Sequence, residues 1–448
     1  MSSKQNIPQR ERDGVIQPLQ AGLPPCEGIH HVQVGRKWEL EALVKDIGRV
    51  KEGGAACRLV AGPFGSGKSF LLHLTKTLAL KEGLVVVQAD ITTSRRLFSS
   101  KGEARALYSE LVKNAAIKSK PGGGALQTVI EKWISQIHHE VRTGGGSEDE
   151  VKLRIQQDLK SLQEHAGGYS FAQVLGKYYE SYMTGNEPQM AAALRWLRAE
   201  YSTKTEAKKE LGVNQIISDE NFYESLKLLA AFCVKAGYKG LFVILDEMVV
   251  LSHRIANGAM RQANFDVLLT ILNDCLQGNA KNLGFLFAGT DDFIQDTRRG
   301  LYSYEALRSR LAPNTFASEG LVDFSGPVIW LKPLCPEDLF VLLQRIRHVH
   351  AYGDLGKYLV PDEAIAAVLH KASQTLGAEF FKTPREVVRS FIGLLNLLEQ
   401  NPGKQWQDLV AQIPILASAP TDQGDPGTTT GGTANRGLAG AANDLTTL

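Results

Sequence analysis

Cysteine is scarce in this 448-residue chain and follows no pattern: Cys26, Cys57, Cys233, Cys275 and Cys335 lie far apart and form no CxxC. That excludes a disulfide framework and a paired-thiol zinc site, and the five read as ordinary reduced thiols. No uninterrupted apolar run is long enough to span a bilayer, and the opening MSSKQNIPQRERDG lacks the apolar stretch and small-residue cleavage site of an export signal. A cytoplasmic protein with no membrane insertion is expected. A surplus of charge is missing as well. Formal net charge is +2, from 50 basic against 48 acidic residues, which excludes a polycation that coats nucleic acid but leaves room for a local DNA-binding surface. The pairs His30, His31 and His138, His139 hold neighbours that face apart on any helix or strand, and the sequence offers no third metal ligand beside them.

What is present is a globular composition, 43% hydrophobic and 22% charged, in a chain longer than the roughly 250–300 residues at which single cores stop growing. Two folded units are expected. CRLVAG (57–62), LVVVQAD (84–90), LFVILD (241–246), LGFLFAGT (283–290) and VIWLKPL (328–334) are short, nearly continuous apolar runs. Runs of that kind are typical of parallel strands buried on both faces, and five of them predict a three-layer α/β sandwich. Between the second and third lie helical patterns, ALQTVIEKWISQIHHEV through MAAALRWLRAEY, far longer than a normal crossover. They read as an insertion, either a partner-binding arm or cap or a thickening of the sheet's flank. After Pro336, three more helical patterns predict a small lid bundle. The final stretch of Gly, Ala and Thr cannot bury enough surface to order itself. The expected organisation is an N-terminal segment (1–33), a nucleotide-binding core (34–335) with the insertion at 91–220, a helical lid (336–416) and a disordered tail (417–448).

The stretch Gly62, Pro63, Phe64, Gly65, Ser66, Gly67, Lys68, Ser69 and Phe70 carries the chemistry. Its first eight residues match GxxxxGK(S/T) between a strand and a helix, the context in which backbone N–H groups turn inward around phosphates. In a P-loop of this kind Lys68 reaches the β and γ oxygens of ATP, and the Ser69 hydroxyl is a ligand for Mg²⁺. LFVILDE ends an apolar strand on Asp246 and Glu247: Asp246 is the candidate second metal ligand, and Glu247 is placed to polarise an attacking water. Thr290 closes the next strand and is either a sensor of the γ-phosphate or a cap for the following turn. Arg308 and Arg310, in EALRSRL, occupy the place from which an AAA+-type ATPase exposes an arginine finger to a neighbouring subunit, with Arg310 preferred. Arg385 begins a lid helix and is a candidate to reach the phosphates. Neither NKxD nor LSGGQ occurs, which disfavours a GTPase or an ABC ATPase.

These segments together resemble the BREX-type P-loop ATPases of bacterial antiphage defence, the BrxC/BrxD ATP-binding group. The resemblance runs from about Arg10 to about Leu398 on RERDGVIQPLQAGLPPCEGIHHVQVGRKWEL, RLVAGPFGSGKSF, KGLFVILDEMVVL, FLFAGTDDF, RRGLYSYEALRSRL and KTPREVVRSF. It implies that Val34, Gly35 and Arg36, in VQVGRKWEL, contact the adenine side. Pro63 and Phe64 depart mildly from the acidic or aromatic pair common before GSGK in the family. The stretch from LLTILNDC to EALRSRL is similar to stand-alone ATPases encoded beside a TerB-like protein and a large helicase, as in the Shango system. That similarity implies host defence with such partners. The chain ends soon after the lid, so a winged-helix DNA reader is not expected. The resulting expectation is an AAA+-like ATPase that uses ATP and Mg²⁺, assembles with its own copies or with partners, and acts on DNA. The rival is a nucleotide-gated scaffold that recruits an effector with little turnover.

Overall fold

The computed structural model of the chain describes residues 6–314, 323–376 and 384–412, so the expected tail at 417–448 lies outside the described residues. The five apolar runs form strands β1 (Ala55–Ala61), β2 (Val85–Asp90), β3 (Leu241–Asp246), β4 (Leu283–Gly289) and β5 (Val328–Trp330). All pair in parallel, in the order β2-β3-β4-β1-β5. β5 is shorter than its apolar run. Leu331 N–H still bonds the Ala61 carbonyl at 2.7 Å, but Pro333, two residues on, has no N–H to continue a ladder.

Alternation along the strands divides the core. Leu241, Val243 and Leu245 of β3 face one side, while Phe242 and Ile244 face the other, against Leu43, Ile47 and Leu72 of the helices Lys37–Lys51 and Lys68–Lys81. The long insertion between β2 and β3 packs on the first side. Trp133, Phe171 and Tyr178 from its helices are fully buried in the same cluster as that face of β3. Its helix Glu148–Leu162 opens on a capping box: Ser147 accepts from the Glu150 N–H, and the Glu150 carboxylate accepts from the Ser147 N–H.

A separate cluster holds the helices Pro336–His350, Asp362–Leu376 and Pro384–Gln400 together through Leu343, Ile346, Ile365 and Phe391. Ile7, Val15, Ile16 and Val32 belong to this cluster too, so the helix Gln9–Gln20 packs into the C-terminal bundle from the opposite end of the chain. Among the described residues no helix is long and apolar enough to cross a membrane.

One polar contact ties a flanking helix to the sheet. Asp46 and Arg58, both buried, form a bidentate pair at 2.7 and 2.9 Å, and Arg58 also donates to the Phe324 carbonyl at 2.9 Å. Removing one member strands the other charge away from water, which costs far more than the pair contributes net. Asp46→Ala is expected to destabilise the fold by about 3–5 kcal/mol, read as a shift in the chemical denaturation midpoint. A shift under about 1 kcal/mol would mean that water reaches Arg58 in the folded protein.

Candidate functional site

The parallel register brings the carboxyl ends of β1, β3 and β4 to one edge of the sheet, where ligands of open α/β sheets bind. The loop after β1 turns there through Gly65 (φ +81°) and Gly67 (φ +91°), backbone conformations that side-chain-bearing residues rarely adopt. Gly62 is needed for a different reason: a Cβ on it would lie 2.7 Å from Ser66 Oγ and 2.9 Å from the Leu331 carbonyl oxygen. The helix Lys68–Lys81 starts immediately after Gly67, and its first internal bond runs from Leu71 N–H to the Gly67 carbonyl at 2.9 Å. The N–H groups of Lys68, Ser69 and Phe70 therefore have no partner within the helix, and the helix dipole adds positive potential beside them.

Lys68 Nζ donates to the carbonyls of Gly62 and Pro63 at 2.8 and 2.9 Å, so the ammonium is folded over its own loop. The exposed Phe64 ring lies 5.4 Å from it. Burial lowers the Lys68 pKa, against the opposing pull of Asp246, Glu247 and Asp291. Ser69 Oγ donates to Asp246 Oδ2 at 3.0 Å, which joins two hard oxygen ligands of the type Mg²⁺ takes. The other Asp246 oxygen accepts the Glu247 N–H at 2.8 Å. Glu247 has φ +57°, and this turn, held by Met248 N–H on the Ala288 carbonyl at 3.0 Å, carries its carboxylate out of the buried strand to an exposed position. Lost solvation and the charges of Asp246 and Asp90 raise its pKa.

The cleft above this edge has a volume of about 210 Å³. Lys68, Ser69, Asp246, Glu247 and Thr290 line it, and Arg385 lines it from the helix Pro384–Gln400. Thr290 occupies the N-cap position of the short helix Asp291–Gln295, yet its side chain makes no cap bond. Among the described residues its buried hydroxyl has no partner, and the same holds for Ser66 Oγ. Two orphaned hydroxyls beside unpaired helix N–H groups and an ammonium suit a polyanion with many acceptor oxygens.

The three residues expected on the adenine side divide. Val34 and Arg36 line the cleft, whereas Gly35 lies against the Asp338 carboxylate, 3.3 Å from where its Cβ would stand. Arg36 donates to the carbonyls of Ser66 at 2.9 Å and Lys332 at 2.6 Å, so its guanidinium braces the glycine loop. Arg308 and Arg310 do not join the cleft. Both are exposed on the helix Glu305–Leu311, Arg308 3.7 Å from Glu305 and Arg310 bonded to Asn273 Oδ1 at 2.7 Å and the Ala306 carbonyl at 2.8 Å.

Several participants were not singled out from the sequence. Asp90 ends β2 in register with Asp246, and its pKa is raised by burial and by that neighbour. It ends an apolar strand just as Asp246 does, a signal the sequence did carry. Asp291, its pKa raised by burial, adds another carboxylate near Lys68. Leu19, Leu23 and Pro24 contribute an apolar wall from the N-terminal segment that no local motif marks.

A family model described as BREX system ATP-binding protein BrxC/D matches residues 7–413. No curated protein matches the chain.

Proposed function

Because the chain belongs to the family of BREX system ATP-binding proteins BrxC/D, we propose that it is an AAA+-like P-loop ATPase of antiphage defence that hydrolyses ATP at the edge formed by β1, β3 and β4. The observation that carries this reading is the convergence of Lys68, the Ser69–Asp246 pair and the exposed Glu247 on one cleft. Ser69 and Asp246 would hold Mg²⁺, and a bound Mg²⁺ supplies charge neutralisation on the phosphate oxygens. The free N–H groups at the start of the Lys68–Lys81 helix bind the phosphates, and Lys68 exchanges its two loop carbonyls for phosphate oxygens. Glu247 accepts the proton of the attacking water, while Thr290 offers its unpaired hydroxyl to that water or to the γ-phosphate. Arg385 reaches the same cleft from the lid, so its position depends on how far the lid is closed.

Arg310, with Arg308 as the alternative, acts in this proposal on the cleft of a neighbouring copy. Its exposure on a helix outside its own cleft supports that role. Further copies of the chain, a helicase and a TerB-like protein are the implied partners, with DNA as the object of the assembly.

Lys68→Ala tests the phosphate cradle. The variant is expected to lose ATP affinity by about 30-fold or more, the cost of removing one partner from a desolvated charge pair. Calorimetric titration with a non-hydrolysable ATP analogue reads this directly, and parent-like affinity would sink the assignment of the cleft.

A further inference from the structure

Away from the cleft, the N-terminal segment folds back so that three ligand-type side chains meet. Glu11, on the helix Gln9–Gln20, has Oε2 2.7 Å from Nε2 of His31 in the 3-10 turn Ile29–Val32. The His30 ring lies 4.0 Å from the His31 ring, tilted by 37°. One ligand atom from each of the three residues lies within 4.8 Å of the other two. The third ligand missing from the sequence reading of this histidine pair is therefore Glu11. A tight backbone approach sustains the meeting. Gly28 has φ +66°, and a Cβ there would stand 2.8 Å from Val15 Cγ2.

We propose that Glu11, His30 and His31 form a binding site for a divalent transition metal of the zinc class, with its remaining coordination positions open to solvent. Two imidazoles and one carboxylate are a ligand set zinc takes with a position left open, whereas Mg²⁺ and Ca²⁺ favour oxygen throughout. The site therefore discriminates against the metal of the nucleotide cleft. Bond lengths of about 2.0–2.2 Å place tetrahedral ligand atoms about 3.4 Å apart. The Glu11–His31 contact opens slightly and the exposed His30 closes in, changes within reach of side-chain rotation. A third imidazole, His348, stands near His31, and its Nδ1 contacts the Tyr358 hydroxyl at 2.9 Å. Metal at this point would fasten the Gln9–Gln20 helix to the turn that leads into Val34 and Arg36. The proposal stands whether or not the cleft hydrolyses ATP.

The test titrates the full chain, stripped with chelator and held without nucleotide in millimolar Mg²⁺, with zinc chloride and separately with cobalt chloride. One equivalent of zinc is expected to bind despite the Mg²⁺, weakened by at least about 100-fold in His30→Ala and in Glu11→Gln. Cobalt should give visible bands of a nitrogen and oxygen site without the near-ultraviolet thiolate absorption that a ligand such as Cys26 would add. His30 is exposed, so matching melting curves of metal-free parent and His30→Ala show that lost binding is not lost folding. If those curves differ, His30→Gln serves in its place under the same expectation. Absence of stoichiometric zinc, equal binding by the variants, or a thiolate band would each overturn the site.

Discussion

Glu247→Gln is expected to keep ATP binding and to lower hydrolysis by about 10²–10⁴-fold, the range over which a positioned general base contributes. The substitution keeps the side chain's shape and leaves Lys68, Ser69 and Asp246 untouched, so the cradle and the metal ligands persist. What it removes is the carboxylate proposed as proton acceptor, which the turn at φ +57° lifts out of β3 and whose pKa is raised first by lost solvation and then by the charges of Asp246 and Asp90. Nucleotide titration and steady-state phosphate release, measured on the same preparation, separate the two effects. Parent-like turnover would remove Glu247 from the reaction. A parent that binds ATP without measurable turnover would favour the nucleotide-gated scaffold instead.

Arg310→Ala should bind ATP normally, because its own Lys68 and Asp246 are intact, and yet lose about 10³–10⁵ in hydrolysis when every subunit carries the change. The contacts Arg310 makes within its own chain do not stand in the way. Exposed hydrogen bonds to Asn273 and Ala306 contribute about 0.5–1.5 kcal/mol each, less than a finger of that strength returns at the transition state. Mixing supplies the decisive measurement. A Lys68→Ala chain, its own nucleotide affinity weakened, should still offer Arg310 to a neighbour, so adding it to Arg310→Ala chains should restore partial phosphate release. Arg308→Ala run in parallel decides which arginine carries the role. Full activity in both homogeneous variants, in assemblies that persist with ATP, would end the inter-subunit proposal.

The sequence made the glycine loop, Asp246, Glu247 and all five strands legible because each is local. Fixed spacing turns the loop, and a run of β-branched and aromatic residues needs no distant partner to identify it as a buried strand. What it concealed depends on chain segments that meet only in the fold. Asp90 joins Asp246 because β2 pairs with β3 across the whole insertion. The Gln9–Gln20 helix was hidden for a chemical reason: Gly14 and Pro18 interrupt its pattern, and its apolar side has meaning only against the lid helices. Glu11 shares that concealment, since nothing near it in the sequence announces His30 and His31. The insertion's helices were legible individually, but their merger with one face of the sheet followed from aromatic packing among Trp133, Phe171 and Phe232 that no periodicity encodes.

The incorporation of the N-terminal helix into the core of the C-terminal bundle makes that bundle a body tethered twice. One strand of chain leaves it near Gln33 for the sheet, and another reaches it from β5 near Lys332. Arg36 pins the two crossings together through the Lys332 carbonyl, and Arg345 of the bundle bonds the Gln33 carbonyl. Two crossings bonded to each other hold the bundle to the sheet more firmly than either connection would alone. Arg385 and Lys68 line one cleft from the two bodies that these crossings join, so a force on the bundle is shared between two anchor points before it reaches the cleft.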